Sequence, residues 1–328
     1  MSKKALIVIV VVIAAVFLVV RIVGKRGIKQ VTADTKKPTV EAQVGGSEAK
    51  SKAVVTPEPS TPENLPKLRL SADTNQISRS LAVVMGTGDR IDYFTRIKAV
   101  HSLSKELSDN EVQALFLLLN RKSDQDPIPL EQLNALKNDV VNVLKAQTQK
   151  PLDLANNLMA MYYDKTHDGV WRDYCVQHLG NFYQKIDNAN EQKMARELFW
   201  VATQEMDSSI AGTALIALAN NINQSDVTSD AVANRALLLS EDTKCGELAK
   251  ITSLQICAKL GEKNVLPVAR QISTSGASVP LRMSAIAAVG TLGEESDRLM
   301  LEKYAASTDT RLRTAAQSAL KRLGKKSI

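Results

Sequence analysis

Cysteine, histidine and aromatic residues are scarce in this chain. Its 328 residues hold three cysteines, three histidines and thirteen aromatic side chains. Cys175, Cys245 and Cys257 form no Cys-x-x-Cys pair, and an odd count excludes a fully paired disulfide framework. The histidines leave little room for acid–base or metal chemistry. His101 sits beside Val100 in a helical pattern and reads as structural. His167, Asp168, Cys175 and His178 are the one cluster of metal-ligand types, and Cys175 and His178 fall on one helix face. No fourth ligand accompanies them, and the spacing fits no common zinc pattern. Cys175 and Cys257 occupy apolar positions of a repeat, so Cys245, beside Gly246, is the most plausible exposed thiol of the three. Gly86-Thr87-Gly88 lacks the Lys-Ser/Thr of a phosphate loop and reads as a turn. With no nucleophile-elbow, metalloprotease or paired-carboxylate motif, neither a catalytic residue nor a cofactor is expected.

A long apolar run is present at the amino terminus. Ala5 to Val20 is uninterrupted, and with Ile22 and Val23 the stretch reaches about 28 Å as a helix, enough to cross a bilayer core. Lys3 and Lys4 precede it; Arg21, Lys25, Arg26 and Lys29 follow. A cleaved signal would need small residues close behind the run, but Val31-Thr32-Ala33 lies beyond those four basic residues. Residues 1–23 are therefore expected to be an uncleaved single-pass anchor. Counting charges on both flanks slightly favours a cytoplasmic domain. The short basic start resembles a signal anchor, and export is the orientation adopted.

Residues 24–75 carry Pro38, Pro57, Pro59, Pro62 and Pro66 among Ser, Thr, Lys and Glu. Without a sustained apolar period such a segment cannot offset the entropy of ordering, so a disordered linker is expected. Its reach as a coil is about 40 Å. The formal charge of +7 belongs mostly to this end of the chain: anchor and linker hold +3 each, and residues 76–328 only +1. A nucleic-acid-binding domain would concentrate its charge on the folded part, so nucleic acid is not the expected partner.

Residues 76–328 read as amphipathic helices without a convincing strand. Leu281–Gly293 recurs as Leu312–Gly324 at an offset of 31 residues, each with apolar side chains on one helix face and a closing glycine. The end of the pattern, two adjacent core residues and a third at i+4, can be traced backward through Ile256/Cys257/Leu260, Ala214/Leu215/Leu218, Cys175/Val176/Leu179, Val140/Val141/Leu144 and Ala99/Val100/Leu103. Second amphipathic segments lie between these, at 111–120, 152–163, 191–204, 231–239, 265–272 and 296–305. Helix pairs at such a period bury their faces by stacking.

Val279-Pro280-Leu281-Arg282-x-x-Ala285 and Asp309-x-x-Leu312-Arg313-x-x-Ala316 resemble the second helix of the HEAT-repeat family of α-solenoids. The resemblance implies an all-α solenoid of stacked helix pairs binding a protein or peptide. It also implies that Asp309 pairs with an arginine of a neighbouring repeat and that Arg282 and Arg313 line an inter-repeat ladder. The match covers 246–324; over 90–245 the Arg and Asp positions are not expected to conform.

Eight of the thirteen aromatics fall between Tyr162 and Trp200. They form either a bulkier core or a recognition surface, and helical phase does not decide between these. Trp171, Tyr163 and Tyr174 are the candidate partner-binding residues. The whole reads as a membrane-tethered, non-catalytic scaffold or adaptor. The alternative is an enzyme or enzyme subunit with a lyase-like HEAT-repeat pocket built on His178 or Asp173.

Overall fold

The computed structural model describes residues 77–87, 92–222 and 227–325, and among them every regular element is helical. The anchor expected over 5–23 and the linker over 24–75 lie outside the described residues. No described helix is long and apolar enough to cross a membrane.

The helices come in consecutive pairs. These are α1 (Arg79–Met85) with α2 (Tyr93–His101), α3 (Asp109–Leu119) with α4 (Leu130–Lys145), α5 (Leu154–Tyr163) with α6 (Gly169–Phe182), and α7 (Ala189–Ala202) with α8 (Ile210–Asn220). There follow α9 (Ser229–Glu241) with α10 (Glu247–Leu260), α11 (Leu266–Thr274) with α12 (Val279–Leu292), and α13 (Arg298–Ala305) with α14 (Thr310–Gly324). Side chains in the linking turns fix where helices begin. Asp92, Asp168, Ser278 and Asp309 each accept a backbone N–H at the start of an even-numbered helix. Ser108 and Glu111 form a reciprocal capping box at α3.

An arginine clamps several pairs together. At the fourth residue of α2, α6, α12 and α14 stand Arg96, Arg172, Arg282 and Arg313. Each donates to a carbonyl at or just past the end of its odd-numbered partner: Val84 (2.9 Å), Tyr162 (2.8 Å), Ser273 (3.1 Å) and Ser307 (2.8 Å). These carbonyls have no partner within their own helix, and a cation suits the negative end of the helix dipole. Gly86 closes α1 with φ of 69°, and an added Cβ there would lie 3.3 Å from the Arg96 guanidinium carbon. In α4 the role falls to Lys137, whose Nζ donates to the Arg121 carbonyl at 2.5 Å.

The same spacing of cap, arginine and small residue thus occurs at Asp92/Arg96/Ala99 and Asp168/Arg172/Cys175, inside the region where no match was expected. The implied ladder is also corrected. Asp309 caps its own helix and binds Arg311 at 3.0 Å rather than an arginine of another pair. Arg282 stacks over the Tyr304 ring, and Arg313 binds Thr310 of its own helix. Ion pairs between successive pairs are made instead by Arg96 with Asp126, Arg172 with Glu205, and Arg270 with Asp297.

Even-numbered helices pack on one another in sequence, α2 on α4 and so on through α12 on α14. Sustained contact between odd-numbered helices of neighbouring pairs is confined, among the described residues, to α1 with α3 and α5 with α7. All seven core triplets lie in, or just past the end of, the even-numbered helices, and most of their members are fully buried. The closest approach is at Gly290 in α12, where an added Cβ would stand 2.4 Å from both Cα and Cβ of Ala319 in α14. Gly290→Ala gains about 1 kcal/mol of helix propensity. It forces two backbones apart, which should cost more, about 1–3 kcal/mol. A net loss of stability in urea unfolding is expected; an unchanged or raised midpoint would show that the two helices do not touch there.

Candidate partner-binding surface

Trp171 is the third residue of α6 and has no exposed surface. Lys137 of α4 lies over its ring, Nζ 4.9 Å from the centroid. It is therefore a core residue, which corrects the expectation of an exposed anchor. The position is buried because α4 packs directly against α6. Tyr163 ends α5 half-buried, edge-on to Tyr162 with ring centroids 5.0 Å apart. Burial, helped by the Glu197 charge, pushes its hydroxyl up to about 12. Tyr174 is half-buried and packs against the core. Tyr162, Phe182, Tyr183 and Phe199 are buried, so the aromatic cluster is chiefly core.

The histidine and cysteine side chains also serve packing. His178 is buried with Nδ1 3.0 Å from Lys145 Nζ, and burial followed by the Lys145 charge lowers its pKa to about 3. His167 is buried beside Asn120, and burial together with Lys137 and Lys122 lowers its pKa to about 4. Cys245, the most plausible exposed thiol by sequence, is buried with Sγ 3.8 Å from the Gly246 carbonyl. That turn is drawn in by the Gly246 N–H, which donates to the Met206 carbonyl of the preceding pair. Among the described residues no group of His, Cys, Asp or Glu is arranged to hold a metal ion.

A different set of exposed residues recurs at one interval along the even-numbered helices. Asn142, Asn181 and Asn220 are exposed at the carboxyl-terminal ends of α4, α6 and α8, and Lys259 continues the row in α10. The four positions are 39 residues apart throughout. One turn earlier Asn138, Gln177, Ile216 and Gln255 repeat the same interval, all half-buried or exposed. Lys259 Nζ reaches Asn220 Oδ1 at 3.5 Å, so the row is contiguous between α8 and α10. The side-chain amides of Asn142 and Asn181 make no hydrogen bond within the described residues. Each amide carries both donors and an acceptor on a rigid helix, a group suited to a peptide bond. The signal was present in the sequence as a polar interval of 39, outside the apolar positions used to trace the repeat.

Trp171→Ala should therefore lower stability by about 3–5 kcal/mol, as for other large core deletions. A melting temperature equal to that of the parent chain would return Trp171 to the surface. The histidines give a pH dependence. Their folded pKa values of about 4 and about 3 lie below the unfolded value near 6.5, so the unfolded state binds more protons between these limits. Stability is full above pH 6.5 and falls as pH drops through this window, by about 2 kcal/mol per histidine at pH 5. His178→Gln should flatten the slope of unfolding free energy between pH 7 and 5; an unaltered slope would place the proton uptake elsewhere.

No family model, curated protein or solved structure matches the chain.

Proposed function

We propose that this chain is a membrane-tethered, non-catalytic scaffold that holds a protein partner by an extended segment. In this reading residues 76–328 are a HEAT-like α-solenoid, residues 5–23 anchor it, and the helical domain lies on the exported side. The tighter packing among even-numbered helices supports placing them on the inner side of the stack. The observation that carries the proposal is the row of exposed amides at one interval, Asn142, Asn181 and Asn220, flanked by Gln177 and Gln255. Packed helices stand about 8–10 Å apart, which is about three residues of extended chain. Amides at that pitch can bond main-chain N–H and C=O groups about three residues apart in a bound strand without reading its side chains.

The alternative of a lyase-like pocket would draw on His178 or Asp173. His178 is enclosed against Lys145, and Asp173 accepts a hydrogen bond from Ser209 across to the start of α8. Both groups tie helices together, which favours the scaffold.

A photo-crosslinking residue at Asn181 in carbonate-washed membranes tests this. The full chain should stay with the membranes and give a discrete adduct from Asn181 but none from Lys193, an exposed residue of α7. The adduct should vanish when Asn142 and Asn220 are both changed to Ala. Equal labelling from both probes, or an adduct indifferent to the amides, would refute the surface.

A further inference from the structure

A small cavity between the second and third helix pairs is unrelated to the amide face. Its volume is about 140 Å³, room for about four waters at roughly 30 Å³ each. The turn after α3 supplies Arg121, Lys122 and Ser123, the turn before α6 supplies Thr166, His167 and Asp168, and Lys137 reaches in from α4. Ser123 and Thr166 are exposed and form its mouth, while Lys137 and His167 are buried.

The charges here are unevenly matched. Lys122 is held by Asp164 at 2.5 Å and Arg121 by Asp126 at 3.0 Å. Asp126 is shared with Arg96 at 2.6 Å. Burial would raise the Asp126 pKa, but the Arg96 bonds and charge and the Arg121 bond outweigh it and hold the carboxylate ionised. Asp168 is engaged with the first N–H groups of α6 and with Asn134 Nδ2 at 2.9 Å. Lys137 has no such counterpart. Among the described residues it has no carboxylate within salt-bridge distance, only the Arg121 carbonyl and the Trp171 ring face. An ammonium has three N–H donors, and a buried charge without a partner is costly. A buried cation at the cavity wall without a carboxylate, and the exposed Ser123 hydroxyl at the mouth, call for the same ligand chemistry.

We propose that this cavity binds a small oxyanion, a carboxylate or phosphate group, with Lys137 as its counter-ion. The ligand supplies the acceptor oxygens that Lys137 lacks, and the surplus positive charge of the lining draws it in.

Trp171 is the natural reporter, being within 5 Å of Lys137 Nζ. In the full-length chain carrying Trp200→Phe, Trp171 emission is followed while sodium phosphate or sodium acetate replaces sodium chloride at constant ionic strength. A saturable change with either anion is expected; saturation by phosphate alone would assign the site to phosphate groups, and by both to oxyanions in general. Lys137→Met should weaken binding at least tenfold. Because that change lies in the core, Ser123→Glu is the second variant: it sets a carboxylate at the exposed mouth and should also weaken binding at least tenfold while helicity is retained. The proposal fails if emission changes linearly, if chloride has the same effect, or if Ser123→Glu folds and binds both anions as the parent does.

Discussion

The fully buried guanidinium of Arg96 shows what the stack depends on. A charge with five donors and no contact with water must find acceptors at fixed directions. Arg96 finds the Val84 carbonyl within its own pair and the Asp126 carboxylate of the next pair, the latter by two parallel bonds of 2.6 and 2.9 Å. Arg172 repeats the arrangement with Tyr162 and Glu205. One side chain therefore sets the angle within a pair and the register of the pair that follows. Toward the carboxyl terminus the device weakens: Arg282 and Arg313 keep the carbonyl bond but lose the carboxylate. There the backbone contact of Gly290 with Ala319 takes over the task of fixing one pair on the next.

Much of the fold was legible because apolar side chains at helical intervals leave a mark in sequence. The triplets from Ala99 to Leu323 locate every even-numbered helix, and the second segments locate the odd-numbered ones except α1, which has only seven residues. The clamp was harder to see. It shares two or three polar residues per repeat, and the interval varies from pair to pair, so Asp92/Arg96 and Asp168/Arg172 escaped a search tuned to Arg282 and Arg313. The site was less legible than the fold. Trp171 and its neighbours could face either way by phase alone, and it is the packing of α4 on α6 that encloses it. Cys245 was misplaced for a related reason, since its burial comes from a turn of another pair.

Polar residues separate into two populations on these grounds. Those that close a helix or a pair, such as Asp168, Arg172 and Asp126, are saturated by neighbours. Asn142 and Asn181 are left with open valences on an exposed face, and Lys137 with open valences in a cavity.

Short turns make each pair antiparallel, so all even-numbered helices point the same way. The odd-numbered helices run the other way between the same two edges, so the dipoles of a pair largely cancel and only the local charge at each helix end remains. Lys145, Lys259, Lys321 and Arg322 stand in or near the final turns of their helices, where each meets that local negative charge. With no net field across the pairs, the polarity of a strand bound as proposed would be decided by local contacts at each step, one helix at a time.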